Sequence, residues 1–268
     1  MDSKLLECLE SRSQSGMIFV IMKILITNDD GIDSRGITLL EELALPFGEV
    51  TVVAPTNDQS GTSHALTLHH PLRVNHVNEN SYSVYGTPTD CVHYALLDLY
   101  GESQPDVILS GINLGPNLGT DVWYSGTVGA AIEGALSGIP SIAFSLVSTP
   151  SRVYQEELAQ DFIPKLLKKI QKMDRSHLLL NVNIPSSEET EYDVEVTKLG
   201  SSYYEGNLKK NMDPRGNEYF WIGGDKLPFD ETQGTDSFAI GRGSVSITPL
   251  RLEMTHFEKM EFLKHNLL

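Results

Sequence analysis

The sequence has few cysteines, a shortage of basic residues and no long hydrophobic run. Its two cysteines, among 268 residues, show no paired spacing, so we expect no disulfide framework and a reducing, cytoplasmic location. Twenty basic residues against 36 acidic ones give a formal net charge of −16, which argues against a nucleic-acid polymer as a partner because such binders carry basic patches. The apolar run at residues 17–26 is broken by Lys23 and is too short to span a bilayer, so no membrane partner is expected.

The first 21 residues differ in character from the rest of the chain and are expected to lie outside the folded domain. Residues 1–16 are polar and mixed in charge, and Asp2, Glu7 and Glu10 argue against a signal peptide. We therefore interpret residues 1–21 as an N-terminal extension, residues 22–190 as the core, and residues 191–268 as an arm followed by a C-terminal return. No linker rich in Pro, Gly or Ser divides the chain into independent domains.

Alternating apolar runs and helical patterns predict an α/β fold for the core, a Rossmann-like three-layer arrangement with a mostly parallel sheet. Predicted strands cover residues 24–26, 50–54, 106–110, 141–146 and 178–184, and residues 66–74 and 82–85 are expected to be short strands or extended chain. Predicted helices cover residues 37–45, 126–138 and 156–173. A further helix is expected after the turn at residues 86–90, with Thr89 or Asp90 as its N-cap and with Cys91 and His93 as buried residues of its first turn.

Aromatic and β-branched residues return in the C-terminal segment and predict a β-hairpin. They occupy residues 194–199, Tyr203, Tyr204 and residues 219–222, around a polar turn at residues 211–217. Exposed aromatic hairpins usually need a partner surface, so we expect an arm that pairs with a second subunit; a hairpin lying on its own domain is the alternative. Beyond the arm we expect a strand at residues 243–249 and a terminal helix at residues 257–268.

Two adjacent acids, Asp29 and Asp30, come directly after the first predicted strand. Like charges ~4 Å apart repel by several kcal/mol at an effective dielectric near ~20, and a hard divalent cation such as Mg²⁺ or Mn²⁺ reverses that sign. Gly31 permits the turn that brings both carboxylates to one ion, at the edge where open α/β sheets bind ligands. The alternative is that an acid here caps the next helix, and this stretch alone does not decide between the two.

Two polar loops are expected to leave the same edge of the sheet. Ser60, in the loop after the second strand, offers a hydroxyl, although the composition of that loop is typical of a plain turn. Asn113 lies in a glycine-rich loop whose spacing is that of neither a Rossmann fingerprint nor a P-loop. Its amide can offer an oxygen to a metal or an NH₂ group to an oxyanion, and we favour a functional role for this loop over a simple turn.

A helix of small residues begins near Ser125, Gly126 and Thr127. Free backbone amides and the positive end of the helix dipole make such a start a ready anion site. The small residues also let the helix pack tightly on the sheet, and the two roles are compatible.

Four segments, taken together, resemble one family. They are ILITNDDGI at 24–32, VVAPTNDQSGTSHALTL at 52–68, VYGTPTDCV at 84–92 and SGINLGPNLGTDVWYSGTVGAAIEG at 110–134. The likeness continues through DPRGNEYFWIGG at 213–224, GTD at 234–236 and VSITPL at 245–250. In their order and joint presence these motifs make the sequence similar to the SurE family, the survival-protein nucleotidases.

The resemblance implies a phosphomonoesterase that acts on nucleoside 5′- and 3′-monophosphates, sometimes on polyphosphate, with one divalent ion, Mg²⁺ or Mn²⁺, per subunit. The family's metal ligands match Asp29, Asp30, Ser60 and Asn113. Its substrate and phosphate side falls at Asn113, Asn117, Ser125, Gly126 and Thr127, with Asn28 as a weaker candidate. The resemblance also implies homodimers or homotetramers with exchanged C-terminal arms. It does not account for the N-terminal extension.

The reaction implied is metal-assisted phosphoryl transfer to water, with Asp29, Asp30, Asn117 and Ser125 as the catalytic set and Asp29 or Asp30 available to accept the proton of the water. One alternative is a non-catalytic nucleotide-binding protein on a Rossmann-like domain. Another is a phosphatase of the haloacid-dehalogenase type, which is disfavoured because its two acids are two residues apart, whereas these are adjacent.

Removing residues 1–16 should leave turnover of a nucleoside monophosphate unchanged, because these residues precede every segment that carries the resemblance. The measurement is kcat/KM for AMP in the truncated and the full-length protein. A large loss in the truncated protein would mean that the extension contributes to the site.

Overall fold

A nine-stranded sheet runs through the centre of the protein, in a computed structural model that describes residues 21–148, 154–201, 207–223 and 230–267. The strands in chain order are β1 (Met22–Thr27), β2 (Gly48–Pro55), β3 (Val74–Asn78), β4 (Ser81–Val84), β5 (Val107–Leu114), β6 (Ser141–Val147), β7 (Leu179–Pro185), β8 (Val194–Val196), β9 (Asn207–Met212), β10 (Glu218–Gly223) and β11 (Val245–Pro249). β9 and β10 form a separate two-stranded hairpin, and the other nine strands form the main sheet.

The main sheet is mostly parallel, as predicted. Its order is β3-β4-β2-β1-β5-β6-β7-β11-β8, and each neighbouring pair from β4 to β7 is parallel. β3 runs antiparallel to β4, and β11 runs antiparallel to β7 but parallel to β8. The carboxyl ends of β2, β1 and β5, which are neighbours, therefore meet at one edge.

The helices are α1 (Arg35–Ala44), α2 (Pro88–Tyr94), α3 (Gly126–Leu136), α4 (Glu157–Ile170), α5 (Asp236–Gly241) and α6 (Phe257–Leu267). The first five pack on the sheet, on both of its faces, whereas every residue of α6 is exposed. Ile24 and Ile26 of β1 pack in a cluster with α1 and α4, whereas Leu25 packs in a cluster with α2 and α3. Successive residues of this strand are buried on opposite faces, as in a strand covered on both sides. The predicted three layers are confirmed.

Two helices are capped by residues other than those considered from the sequence. The hydroxyl of Ser34 caps α1 by accepting the N–H of Ile37, so neither Asp29 nor Asp30 is the cap. Thr87, rather than Thr89 or Asp90, caps α2, and Asp90 completes a capping box by accepting the N–H of Thr87. Because Pro88 has no N–H and favours the first helical position, the cap falls one residue before it.

Several strand predictions are decided or corrected. Of the two possibilities for residues 66–74, the strand is wrong for residues 66–73, which are largely exposed and contain Pro71, and the strand at this edge is β3. Residues 194–199 do not join the hairpin, because β8 pairs with β11 in the main sheet, and sequence pattern alone does not identify a strand's partner. β5 continues to Leu114 instead of ending near Ser110, with a shift of register against β6 between Ser110 and Asn113.

The predicted C-terminal hairpin is present as β9 and β10, joined by a turn at residues 213–217. Nearly all of its residues are exposed, and Trp221 and Ile222 are 65% and 88% exposed. The alternative in which the hairpin lies on its own domain does not fit this exposure. Tyr203 and Tyr204 fall outside the described residues, as do residues 1–20 of the predicted extension.

None of the helices in the described part of the chain has both the length and the apolar composition needed to cross a membrane. Cys91, the cysteine within the described ranges, is a free and buried thiol. His93 is only partly buried, contrary to expectation, and its Nε2 atom lies 3.1 Å from a carboxylate oxygen of Glu133.

Candidate active site

Three loops and one helix start converge at the carboxyl edge of β2, β1 and β5. The backbone N–H of Gln59, in the loop after β2, donates to the carbonyl of Asp29 at 2.7 Å. The hydroxyl of Thr127, in the first turn of α3, donates to Oδ1 of Asp29 at 2.5 Å. The backbone of Leu114, at the end of β5, lies against the carboxylate of Asp30. The acid pair is therefore the point at which these segments meet.

The turn that carries the acids is built by Asn28. This fully buried side chain donates to the carbonyl of Gly31 and to the hydroxyl of Ser34, and it accepts the N–H of Gly31. Gly31 has φ = +101°, a conformation that favours glycine. Both donor hydrogens of the Asn28 amide are thus used within the turn.

Asp29 is held in a buried position, with 3% of the residue exposed. Burial raises its pKa above the usual value, and hydrogen bonds from the side chain and backbone of Thr127 offset part of that rise. A Cβ atom on Gly126 would lie 2.8 Å from Cβ of Asp29 and 2.9 Å from its Oδ2. Only glycine at position 126 lets the start of α3 approach the carboxylate this closely.

Asp30 has fewer stabilising hydrogen bonds to its carboxylate than Asp29. Burial, then the charges of Asp29 and Asp58, raises its pKa from 3.8 to about 6. Its Oδ2 atom is buried and has no hydrogen-bond partner among the described residues. A buried carboxylate oxygen without a donor is costly, and a cation is the group that would satisfy it. This observation fits a metal ion at the site.

Ser60 and Asn113 are sequence neighbours of Gln59 and Leu114, whose backbones contact Asp29 and Asp30. Ser60 is exposed, and both its hydroxyl and its backbone N–H donate to Oδ1 of Asp58, at 2.6 and 2.8 Å. The Nδ2 atom of Asn113 donates to the carbonyl of Gly115 at 2.9 Å, which fixes the plane of its carboxamide. A hydroxyl, an amide and two carboxylates are the oxygen donors that Mg²⁺ and Mn²⁺ accept.

Within the described ranges no three His, Cys, Asp or Glu side chains form a group able to hold a metal ion. The candidate site does not require such a group, because two of its four proposed ligands are neutral. Asp58 is a third acid close to the pair, and the sequence analysis did not single it out. Its position two residues before Ser60, in a loop already considered for the site, could have indicated it.

Asn117 and Ser125 have different surroundings. Asn117 is buried, and its Nδ2 donates to the hydroxyl of Ser145 at 2.7 Å, beneath the loop. Ser125 caps α3 by accepting the N–H of Val128 at 3.1 Å, so its O–H proton stays available to a substrate oxygen. Ser125, Gly126 and Thr127 stand together at the start of α3, next to Asp29, where the sequence predicted an anion site.

Glu133 of α3 is a supporting residue that the sequence analysis missed. One carboxylate oxygen lies 2.6 Å from Nε2 of His64, and the other lies 3.1 Å from Nε2 of His93. One turn earlier, a Cβ on Gly129 would meet the carbonyl of Ser63 at 2.7 Å. The loop that carries Ser60 is therefore tied to α3. Glu133 could have been found from the sequence, because it is a single acid within a helix of small and apolar residues.

The chain is similar to proteins of one family over most of its length. A family model described as Survival protein SurE matches residues 24–206, a range that contains every residue of the candidate site. A protein named 5'-nucleotidase SurE from Vibrio cholerae is 45% identical over 245 residues, which cover 91% of this chain and 97% of that protein. A protein of the same name from Geotalea daltonii is 45% identical, with coverage of 91% and 98%.

A solved structure gives the same result for the fold. The SurE protein from Aquifex aeolicus matches with a TM-score of 0.80 and 39% sequence identity, covering 90% of this chain and 98% of that one. The agreement extends beyond the core, because coverage of 90% includes part of the C-terminal segment.

Asp30→Asn should raise the free energy of unfolding of the metal-free protein at pH 7.5, by on the order of 1–3 kcal/mol. The folded-state pKa of about 6 lies above that of the unfolded chain. The ionised carboxylate therefore destabilises the fold above that pH, and the wild type should lose stability as the pH rises from about 4 to 6.

The measurement is denaturant unfolding in excess EDTA across this pH range. Asp33→Asn, at an exposed position three residues later, is the matched control and should change little. A variant at position 30 that is less stable than the wild type would contradict the repulsion described here.

Proposed function

The chain belongs to the SurE family, and we propose that it is a 5′-nucleotidase, a phosphomonoesterase that releases phosphate from nucleoside 5′-monophosphates. The observation that carries the proposal is the contact between Asp29 and the start of α3, which places the proposed cation site beside the proposed anion site. The names of the relatives from Vibrio cholerae and Geotalea daltonii support the same activity.

We further propose that the activity depends on one divalent ion, Mg²⁺ or Mn²⁺, held by Asp29, Asp30, Ser60 and Asn113. When bound, such an ion neutralises charge on the phosphate and lowers the pKa of a water molecule. The unpartnered Oδ2 of Asp30 and the two closely placed carboxylates support this assignment. Nucleoside 3′-monophosphates and polyphosphate, as the resemblance implies, are proposed as further substrates.

The protein's own groups bind and orient the phosphate in this proposal. The hydroxyl of Ser125 and the backbone amides at the start of α3 hold phosphate oxygens, with the helix dipole favouring the negative charge. Thr127 holds Asp29 in place. Asn117 supports the loop from below, so its contribution comes from placing Asn113 and the neighbouring backbone. Positioning and electrostatic stabilisation are the main requirements of phosphoryl transfer.

A non-catalytic nucleotide-binding protein is the competing function. It requires an anion site but no closely paired carboxylates, which would repel a phosphate in the absence of a cation. Asp29 and Asp30 therefore favour the enzyme. The cytoplasmic location and the division into a core at 22–190 and an arm with its return at 191–268 stay predictions.

We also propose that the hairpin of β9 and β10 joins two or more copies of the chain into a homodimer or homotetramer. Tyr219, Phe220, Trp221 and Ile222 are all exposed on it. Four large apolar side chains in a row on a two-stranded hairpin are stable when a second surface covers them.

The purified protein should release phosphate from AMP with Mn²⁺ or Mg²⁺ and should not do so in excess EDTA. Asp29→Asn and Asp30→Asn should each lower kcat/KM by about 100-fold or more, the loss expected for a group that holds the catalytic metal, while Asp33→Asn should not. The assay is phosphate release under steady-state conditions. Binding of AMP that persists in EDTA without any turnover would instead support the non-catalytic function.

Replacing Trp221 and Ile222 together by Ser should shift the protein towards the monomer, because the two most exposed of the four apolar side chains in the proposed interface are lost. Sedimentation velocity over a range of concentrations measures this. Leu97→Ser, at a position on the core that is 76% exposed, is the control and should keep the wild-type mass. A wild type that is monomeric at every concentration would rule out the interface.

A further inference from the structure

The side chain of Asp236 is completely buried at the start of α5 and accepts three backbone N–H groups. Its Oδ2 atom accepts the N–H of Gly119 at 2.8 Å. Its Oδ1 atom accepts the N–H groups of Gly200 and Ser237, each at 2.8 Å. Asp236 is not the cap of α5, since the hydroxyl of Thr235 accepts the N–H of Phe238. Its carboxylate is therefore used to hold other segments.

Gly119 ends the loop that follows Asn113 and Leu114, the last two residues of β5. The loop approaches residues 200–201 so closely that a Cβ on Gly119 would lie 2.1 Å from the carbonyl of Ser201. Gly119 also has φ = +54°. The loop is thus packed against the segment that leads to the hairpin. Asp236 accepts hydrogen bonds from both, from Gly119 in the loop and from Gly200 in that segment.

A second attachment holds the same loop at Asn117. Its backbone N–H donates to Oδ1 of Asn183 at 3.0 Å, and its carbonyl accepts N–H groups from Asn181 at 2.8 Å and from Asn183 at 3.0 Å. Asn181, Asn183 and Ser145 are fully buried on β7 and β6. Buried hydrogen bonds of this kind are costly to break, most of all those made to a charged acceptor.

The two attachments decide where the active-site end of the loop lies. Asn113 is a proposed metal ligand, and the backbone of Leu114 lies against Asp30. Only Gly115 and Pro116 separate Leu114 from the first attached residue, Asn117. A change in position at Asn117 or Gly119 is therefore transmitted to the neighbours of Asp30.

We propose that Asp236 is a positioning residue for the reaction at the acid pair. It fixes Gly119 and, through the loop, places Asn113 and Leu114 against Asp30; its other oxygen fixes Gly200 at the base of the arm. Asp236 touches none of the proposed ligands, so it acts through the loop. Its effect on turnover rests on the proposed nucleotidase function, whereas its effect on the loop does not.

The test compares Asp236→Asn with Asp230→Asn in the full-length protein. An asparagine at position 236 keeps the size of the side chain but replaces one acceptor by an NH₂ group, which faces a backbone N–H. Asp230 lies in the same return segment and accepts the N–H groups of Ser201 and Thr232. Its described hydrogen bonds do not reach residues 113–119, so it controls for a general loosening at the base of the arm.

Two measurements are made on both variants. With AMP and Mn²⁺, Asp236→Asn should lower kcat at least tenfold and raise the half-saturating Mn²⁺ concentration at least fivefold, while Asp230→Asn stays within twofold for both. A partly unfolded sample would lower the rate without moving the half-saturating concentration. By mass spectrometry, amide hydrogen exchange in a peptide covering residues 114–119 should be at least tenfold faster in Asp236→Asn only.

Equal effects of the two variants, or a normal half-saturating concentration with unchanged exchange in Asp236→Asn, would overturn the proposal. If Asp236→Asn does not fold, Asp236→Glu, which keeps the charge but displaces the carboxylate by one methylene group, is judged by the same criteria. If the wild type does not hydrolyse AMP, the proposed function fails, and the exchange measurement still decides whether Asp236 holds the loop.

Discussion

The repulsion between two carboxylates held side by side at the end of β1 is the constraint on which this structure depends. Burial makes that repulsion stronger, because the effective dielectric constant falls away from water. Such an arrangement persists only where surrounding groups determine it. Here the amide of Asn28 fixes the turn, Thr127 holds one acid, and the missing side chain at Gly126 leaves room for α3. The site is kept at some expense of stability, as is common where function requires strain.

The order of the parallel strands explains why distant segments meet at this pair. β2, β1 and β5 are neighbours, so the loops that come after them along the chain leave the sheet at one edge. The Ser60 loop is then tied to α3 through Glu133 and His64, and the Asn113 loop is tied to the C-terminal half through Asp236 and Asn183. Each loop thus has its own anchor on a rigid element, which is what a precise site requires.

Local signals in the sequence were sufficient for part of this arrangement. A buried strand that ends in two acids and a glycine predicted the turn at Asp29 and Asp30, and small residues behind Ser125 predicted the start of α3. The β-α-β opening predicted the parallel sheet. The exact start of α2 was predicted less well. Its cap is Thr87, whereas the sequence analysis placed it two or three residues later because Pro88 was not recognised as the first helical residue.

Other features had no local signal. Asp236 bonds Gly119 across 117 positions, and Asn183 bonds Asn117 across 66; neither pair has a spacing that a periodic pattern reveals. The same holds for β8, whose partner β11 is formed by residues much later in the chain. A side chain that holds a loop through backbone N–H or C=O groups requires no particular residue type in the loop, because every residue has a backbone. Such contacts therefore leave no motif in the sequence of the loop.

The antiparallel pairing of β7 with β11 has a consequence for how the protein is made. β7 ends at Pro185, and its partner begins at Val245, after the whole hairpin has been synthesised. Until then the growing chain carries an uncovered row of backbone donors and acceptors along β7, the kind of edge to which other strands attach. From the synthesis of β7 until the synthesis of β11, the nascent chain depends on rapid elongation, or on a chaperone, to avoid aggregation.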